Sequence, residues 1–329
     1  MSAVRKFLFG SVVLFGVIGG YAYIKKRPAP PAPPQKIVEI ALAEPKRPEP
    51  IAAPPVKSQV VTHVPPAPSP LSEDLPDADR IAQLFALDSS KLPFVETVSY
   101  TSRVPWLKDR PAWIADYASY FETSRHFIAR SLNKKLDYFT QKVSFGDRFN
   151  VFKKDKQINF HLLIDLSRCR MWFYAIDVEG NERILLKTYP VGIGRVDPTK
   201  TSGYLTPCGK YRLGDKIAIY KPGTLGFYQD NKIEMIRVFG TRWIPFAEEL
   251  DGCSELAKGF GLHGAPWVED GTGQLVEDAS KISTYDSDGC IRLASRDIEE
   301  IFSIIITKPT VVELVKNFYD AKLPGVEKK

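Results

Sequence analysis

The sequence predicts a mainly β domain with one flanking helix, preceded by a small helical region, a proline-rich linker and an apolar N-terminal segment. Three observations lead there. Ile158, Phe160, Leu162 and Ile164 alternate with Asn159, His161, Leu163 and Asp165, the period of a half-buried strand. Further short runs, Met171 to Ile176, Arg183 to Val191, Gly209 to Leu213 and Glu234 to Phe239, read as strands, with Gly192, Gly194, Pro198, Gly203 and Pro207 punctuating the connections. A convincing helical stripe comes only after Arg292, where Ile298, Ile301, Phe302 and Ile305 recur at i, i+3, i+4 and i+7. Ser295 is placed to cap that helix, Asp297, Glu299 and Glu300 complement its dipole, and Pro309 stops it before Thr310 to Val315 returns as a strand. These elements delimit a domain over 157–317 and a tail over 318–329.

Residues 1–27 read as a membrane-targeting segment. Phe7 to Ile24 carries no charge and is flanked by Arg5-Lys6 and by Lys25-Lys26-Arg27. As a helix this run would be about 27 Å long, close to a bilayer core of about 30 Å. A cleaved signal peptide competes through the small residues Gly20 and Ala22, but positive charge directly after that position favours an uncleaved anchor. Residues 28–76 hold 15 of the 26 prolines. Proline at that density blocks helix and sheet ladders and favours extended, solvated backbone, a tether reaching between about 40 and about 150 Å. Residues 77–156 read as mainly helical. Ile81, Leu84 and Phe85 form a short helix, and Pro111 opens a longer one carrying Trp113, Tyr117, Tyr120, Phe127 and Ile128. That aromatic stripe is expected to pack against the next domain, and sugar stacking or binding of division or cell-wall partners are the alternatives. His126 and His161 are read as structural.

With 329 residues and 44% hydrophobic content the chain can bury a substantial core. A net charge of +6 spread over 45 basic and 39 acidic residues is no nucleic-acid footprint. Cys169, Cys208, Cys253 and Cys290 form no C-x-x-C pair, so neither a metal nor a cofactor is called for. One disulfide among the first three is open in an oxidising compartment.

The chemistry concentrates in Ser287-Asp288-Gly289-Cys290-Ile291-Arg292, read with His263-Gly264. A nucleophilic cysteine needs a base, amide donors for an oxyanion and a cation for an anionic substrate. His263 supplies the base, the amides of Gly289 and Cys290 the donors, and Arg292, on the same strand face as Cys290, the cation. Together with Thr206-Pro207-Cys208-Gly209, these S-x-G-C-I-R and H-G elements resemble the L,D-transpeptidase family, the YkuD domain. The resemblance covers nearly half the chain and implies a β-sandwich-like catalytic domain in the bacterial cell envelope, acting on peptidoglycan stem peptides. It implies Cys290 as nucleophile, His263 as base, the Gly264 carbonyl as its orienting group, Arg292 and Ser287 as substrate-positioning and turn-supporting residues, and Thr206 and Gly209 on a loop facing the cleft. The family's thiolate attacks the carbonyl of the third stem residue, D-Ala leaves, and an amine resolves the thioester into a three-to-three cross-link.

Two departures stand out. Asp288 occupies a position where many members carry His, and is expected to face solvent, since a carboxylate turned inward would disfavour a thiolate. His263 and Cys290 are 27 positions apart, longer than usual, with the excess around Val268 to Ser283 reading as a surface loop. Papain-like and NlpC/P60 peptidases place Cys before His, and sortases differ around the cysteine. An L,D-carboxypeptidase that passes the thioester to water, or an inactive wall-binding tether, remain the alternatives.

Overall fold

The computed structural model describes residues 75–139, 142–215 and 217–328. The apolar segment 1–27 and the proline-rich run up to residue 74 lie outside the described residues. Among the described residues no helix is long and apolar enough to cross a membrane.

The region after the linker is more than helical. It contains helix α1 (Ile81–Phe85), strand β1 (Val95–Ser99), helices α2 (Ile114–Tyr120) and α3 (Arg125–Asn133), and strand β2 (Arg148–Phe152). Strands β1 and β2 pair antiparallel from Val95↔Phe152 to Ser99↔Arg148. Where the aromatic spacing predicts one long helix from Pro111, the chain breaks into two. Glu122 takes a φ of 47°, and Ser124 caps the second helix by accepting from the amides of His126 and Phe127. Tyr117 and Ile128 enter a local core with Tyr100 and Phe149, whereas Phe127, Phe94 and Phe152 join the core of the following domain. Residues 77–156 and the main domain accordingly belong to one unit, Val64–Lys329.

The main domain is mainly β. Its strands are β3 (Ile158–Asp165), β4 (Arg170–Asp177), β5 (Glu182–Pro190), β6 (Ile193–Gly194), β7 (Gly209–Leu213), β8 (Ala218–Ile219), β9 (Leu225–Tyr228) and β10 (Asn231–Glu234). The short helix α4 (Ile236–Phe239) follows, then β11 (Arg242–Asp251), β12 (Gly261–Gly264), β13 (Trp267–Glu269), β14 (Leu275–Glu277), β15 (Tyr285–Ser287), β16 (Ile291–Leu293), helix α5 (Ser295–Ile305), β17 (Thr310–Val315) and β18 (Val326–Glu327). One mixed sheet runs β16-β12-β11-β7-β17-β3-β4-β5-β18, with β8 also pairing with β11. Two separate packed layers are not what joins these strands. Strand β11 pairs with β12 through Trp243–Pro245 and with β7 beyond Phe246, so a single curled sheet passes through it. The core, including Phe160, Phe173, Leu262, Ile291, Ile298 and Phe302, lies between this curve and α5.

Several sequence expectations change. Glu234 to Phe239 is not a strand: it closes the β9–β10 hairpin and then turns as α4. Helix α5 has the expected apolar face, but Ser295 is its first residue and not its cap. The Ser295 amide donates to Glu277 Oε1 at 2.5 Å, so a carboxylate from the stretch before the nucleophile caps the helix. That stretch, expected as a surface loop, carries an ordered hairpin, β13–β14. The expected tail folds back, with Phe318 against Trp172 at 4.6 Å and β18 pairing with β5. All four cysteines are free thiols.

Candidate active site

Strands β12 and β16 run parallel, with Leu262↔Ile291, His263↔Arg292 and Gly264↔Leu293 in register. Parallel neighbours need a crossover, which the β13–β14 hairpin and β15 provide between them. The register sets His263 beside Arg292, and Cys290 ends the turn that leads into β16. Cys290, two residues before Arg292, therefore lies diagonally from His263 across this strand pair.

His263 is 4% exposed and its Nδ1 lies 2.7 Å from the Gly264 carbonyl oxygen. A carbonyl can only accept, so Nδ1 carries the proton and Nε2 is left as the basic nitrogen. Phe239 meets the ring edge-on at 5.4 Å and Trp243 lies at 5.9 Å, tilted. Burial in this aromatic pocket lowers the imidazole to about 4, helped by the Arg292 charge and opposed by the Gly264 hydrogen bond.

Cys290 is half-buried, and its Sγ donates to the Gly259 carbonyl at 3.6 Å. Burial pushes the thiol up to about 11, while the Gly261 amide and the Arg292 guanidinium pull it down and Asp288 adds to the rise. The resting pair is thus a neutral thiol and a neutral imidazole.

The turn before Cys290 is pinned at both ends. Ser287, buried, accepts from the Gly289 N–H at 3.1 Å and donates to the Cys290 carbonyl at 2.7 Å. Thr206, also buried, accepts from the Gly194 amide at 2.7 Å and donates to the Gly289 carbonyl at 3.0 Å. Gly289 has a φ of 120°, and a Cβ there would fall 2.5 Å from the Phe260 ring and 2.8 Å from the Leu205 carbonyl. Only glycine fits that backbone. Thr206 therefore acts on the turn from below and does not face the cleft. Gly209 is elsewhere: a Cβ on it would meet Cys253 Cα at 2.5 Å, so it is a packing glycine against that backbone.

Arg292 is largely buried. Its Nη1 lies 3.4 Å from Asp286 Oδ2, which Lys281 Nζ also reaches at 2.6 Å, and its Nε has no hydrogen-bond partner among the described residues. Asp288 faces solvent, as the sequence leads one to expect, and pairs with Arg195 at 2.6 Å. Tyr228, from the β9–β10 hairpin, stands where the charges of Asp288, Cys290 and Arg292 all act on its phenol, and its ring meets Phe239 edge-on at 5.6 Å. Among the described residues no cluster of His, Cys, Asp or Glu has the makings of a metal site. A cavity of about 450 Å³ opens on another part of the sheet, among Ile217, Ile244, Ile305 and Ile306, and is lined by neither Cys290, His263 nor Arg292.

Of the residues the sequence groups, the structure bonds Ser287 to Gly289 and Cys290, His263 to Gly264, and pairs His263 with Arg292, whose charge acts on Cys290. Sequence reasoning missed Phe239, Trp243, Tyr228 and Arg195, which reach the site through strand register and hairpin packing and carry no local signal.

Residues 159–314 match the family model described as the L,D-transpeptidase catalytic domain, YkuD. No curated protein sequence matches the chain. Among solved structures it is similar to Bd1075 of Bdellovibrio bacteriovorus, at 15% identity over 50% of each chain with a TM-score of 0.34. It is also similar to the helical cell shape determining protein Pgp2 of Campylobacter jejuni, at 17% identity over 51% of this chain and 50% of that one, TM-score 0.33. The chain thus spans about half the length of each of these structures. Residues 159–314 are thus a YkuD domain, the catalytic domain of the L,D-transpeptidases.

Proposed function

We propose that the protein is a cysteine-dependent L,D-transpeptidase of the bacterial cell envelope, acting on peptidoglycan stem peptides. The observation that supports this reading is the parallel register of β12 and β16, which pairs His263, its Nδ1 on the Gly264 carbonyl, with Arg292, two residues past Cys290. In the first half-reaction Nε2 of His263 accepts the Cys290 proton as the sulfur attacks the carbonyl of the third stem residue. The S–C bond forms, the C–N bond to D-Ala breaks, and the imidazolium returns its proton to the leaving amine. In the second, an amine of a neighbouring stem attacks the thioester, its proton passes to His263 and on to the departing sulfur, and a three-to-three cross-link results.

The Gly289 N–H is engaged by Ser287 Oγ, which leaves the Cys290 amide as the oxyanion donor. Arg292, with an unsatisfied Nε in a largely buried side chain, is the cation for a stem carboxylate. Ser287, Thr206 and Gly289 fix the turn. The N-terminal segment 1–27 anchors the protein and the proline-rich run spaces the domain from the membrane.

A carbapenem is expected to give a covalent mass shift located on Cys290 and absent in Cys290→Ala. An adduct that persists in that variant, or none on the folded protein, overturns the reading. Incubation with tetrapeptide muropeptides then decides its finer part. Cross-linked dimers support transfer, and tripeptides without dimers identify an L,D-carboxypeptidase.

A further inference from the structure

Arg195 belongs to none of the motifs above, yet three contacts from two elements hold it at the mouth of the site. Its amide donates to the Ser287 carbonyl at 3.0 Å, and its carbonyl accepts from the Leu205 amide at 2.9 Å, so its backbone is tied to both the nucleophile turn and the loop carrying Thr206. Its Nη2 lies 2.6 Å from Asp288 Oδ1. Asp288 is two residues from Cys290, so their Cα atoms lie at most about 7 Å apart and the carboxylate is of that order from the sulfur. A carboxylate there works against a thiolate unless something cancels it.

We propose that Arg195 is a positioning residue of this site, whose guanidinium holds the Asp288 carboxylate outward and cancels its charge toward Cys290. The proposal rests on Cys290 being the nucleophile. An exposed ion pair contributes little to folding, so the pairing matters through the field it sets at the sulfur. The other charged or titratable groups around that sulfur are Arg292, two residues on in β16, and Tyr228 on the β9–β10 hairpin, with His263 paired to Arg292 across β12 and Asp286 and Lys281 beyond Arg292. None of these contacts Asp288 in an ion pair; Arg195 does.

One unit charge about 7 Å away through water-like dielectric alters thiolate population by about threefold. The test is the rate of Cys290 alkylation by iodoacetamide against pH, read on the full chain by peptide mass so that Cys169, Cys208 and Cys253 are counted separately. Arg195→Ala is expected to slow Cys290 about threefold at a given pH, moving the profile to higher pH. Asp288→Asn should speed it by up to about threefold, and the double variant should return near the parent. Arg195→Lys should recover most of the loss. Opposite signs and their cancellation are not what a loosened turn would give. If Arg195→Ala folds poorly, Asp288→Asn alone decides. An unmoved profile in Asp288→Asn, or a double variant as slow as Arg195→Ala, overturns the proposal while leaving Cys290 as nucleophile. Absence of any Cys290 adduct at any pH overturns both.

Discussion

Burial of a neutral His263 makes the fold acid-sensitive in a defined window. The unfolded chain protonates this ring near 6.5, whereas in the folded protein its aromatic surroundings lower it to about 4. Between those values the unfolded state binds more protons, so stability falls as pH falls, from its full value above about 6.5 to a floor below about 4. Lowering the ring from 6.5 to about 4 corresponds to about 3 kcal/mol, a large fraction of the stability of an ordinary domain. The assay is urea unfolding at intervals from pH 7.5 to 4, on the parent and on His263→Gln, whose amide can still donate to the Gly264 carbonyl. Carboxylates held below their usual range, such as Asp137 and Glu313, also lose stability toward acid, but equally in both proteins. The difference between the two curves isolates the imidazole. It should grow by about 3 kcal/mol on going from pH 7.5 to 4, with the parent losing more. Parallel curves would refute the reasoning, as would an NMR titration that assigns His263 itself an ordinary value near 6.5.

Gly289→Ala is expected to cost about 2–5 kcal/mol and to abolish thiol reactivity toward carbapenems, since both the φ of 120° and the Phe260 ring oppose a Cβ; thermal unfolding and adduct formation check it. Thr206→Val leaves the Gly194 amide and the Gly289 carbonyl unpaired, and should lower stability by about 1–3 kcal/mol with a matching loss in acylation rate. Asp137→Ala strips Arg242, 2% exposed, of its 2.6 Å partner, and should cost about 3 kcal/mol in urea unfolding. Glu277→Ala removes the carboxylate that caps α5, an effect of about 1 kcal/mol.

Asp137 also shows how the two ordered regions meet. Burial works against its ionisation, but the His126 ring at 3.1 Å and the Arg242 guanidinium outweigh it and hold the carboxyl at about 2. Arg242 opens β11 one residue before Trp243, which is paired with His263. The N-terminal region is therefore bonded to the strand that supports the base.

The sequence made the alternating strand β3, the apolar face of α5 and the cluster around Cys290 legible, because each is written in consecutive residues. Strand β11 was missed, since Pro245 interrupts it and its second half, Ala247 to Asp251, is exposed and polar. Glu234 to Phe239 misled because an apolar run of that length suits a strand or one helical turn, and only the preceding hairpin decides. The break between α2 and α3 hinges on a positive φ at Glu122, which no glycine announces. Thr206 belonged to the site, though beneath it, and the distinction between holding a turn and meeting a substrate lies in burial alone. Cancellation of Asp288 by Arg195 joins residues 93 positions apart, beyond the reach of any local pattern.

The parallel pairing of β12 with β16 separates the geometry of the base and nucleophile from the length of chain that joins them. Beyond its ties to α5, Glu277 on the Ser295 amide and Trp267 on the Ser295 hydroxyl, the outer end of the β13–β14 excursion can lengthen, shorten or be exchanged while the pair stays put. Its tip at Asp270 to Gln274 is the natural place to graft a tag or an epitope, and a natural route by which relatives could diverge in what they accept.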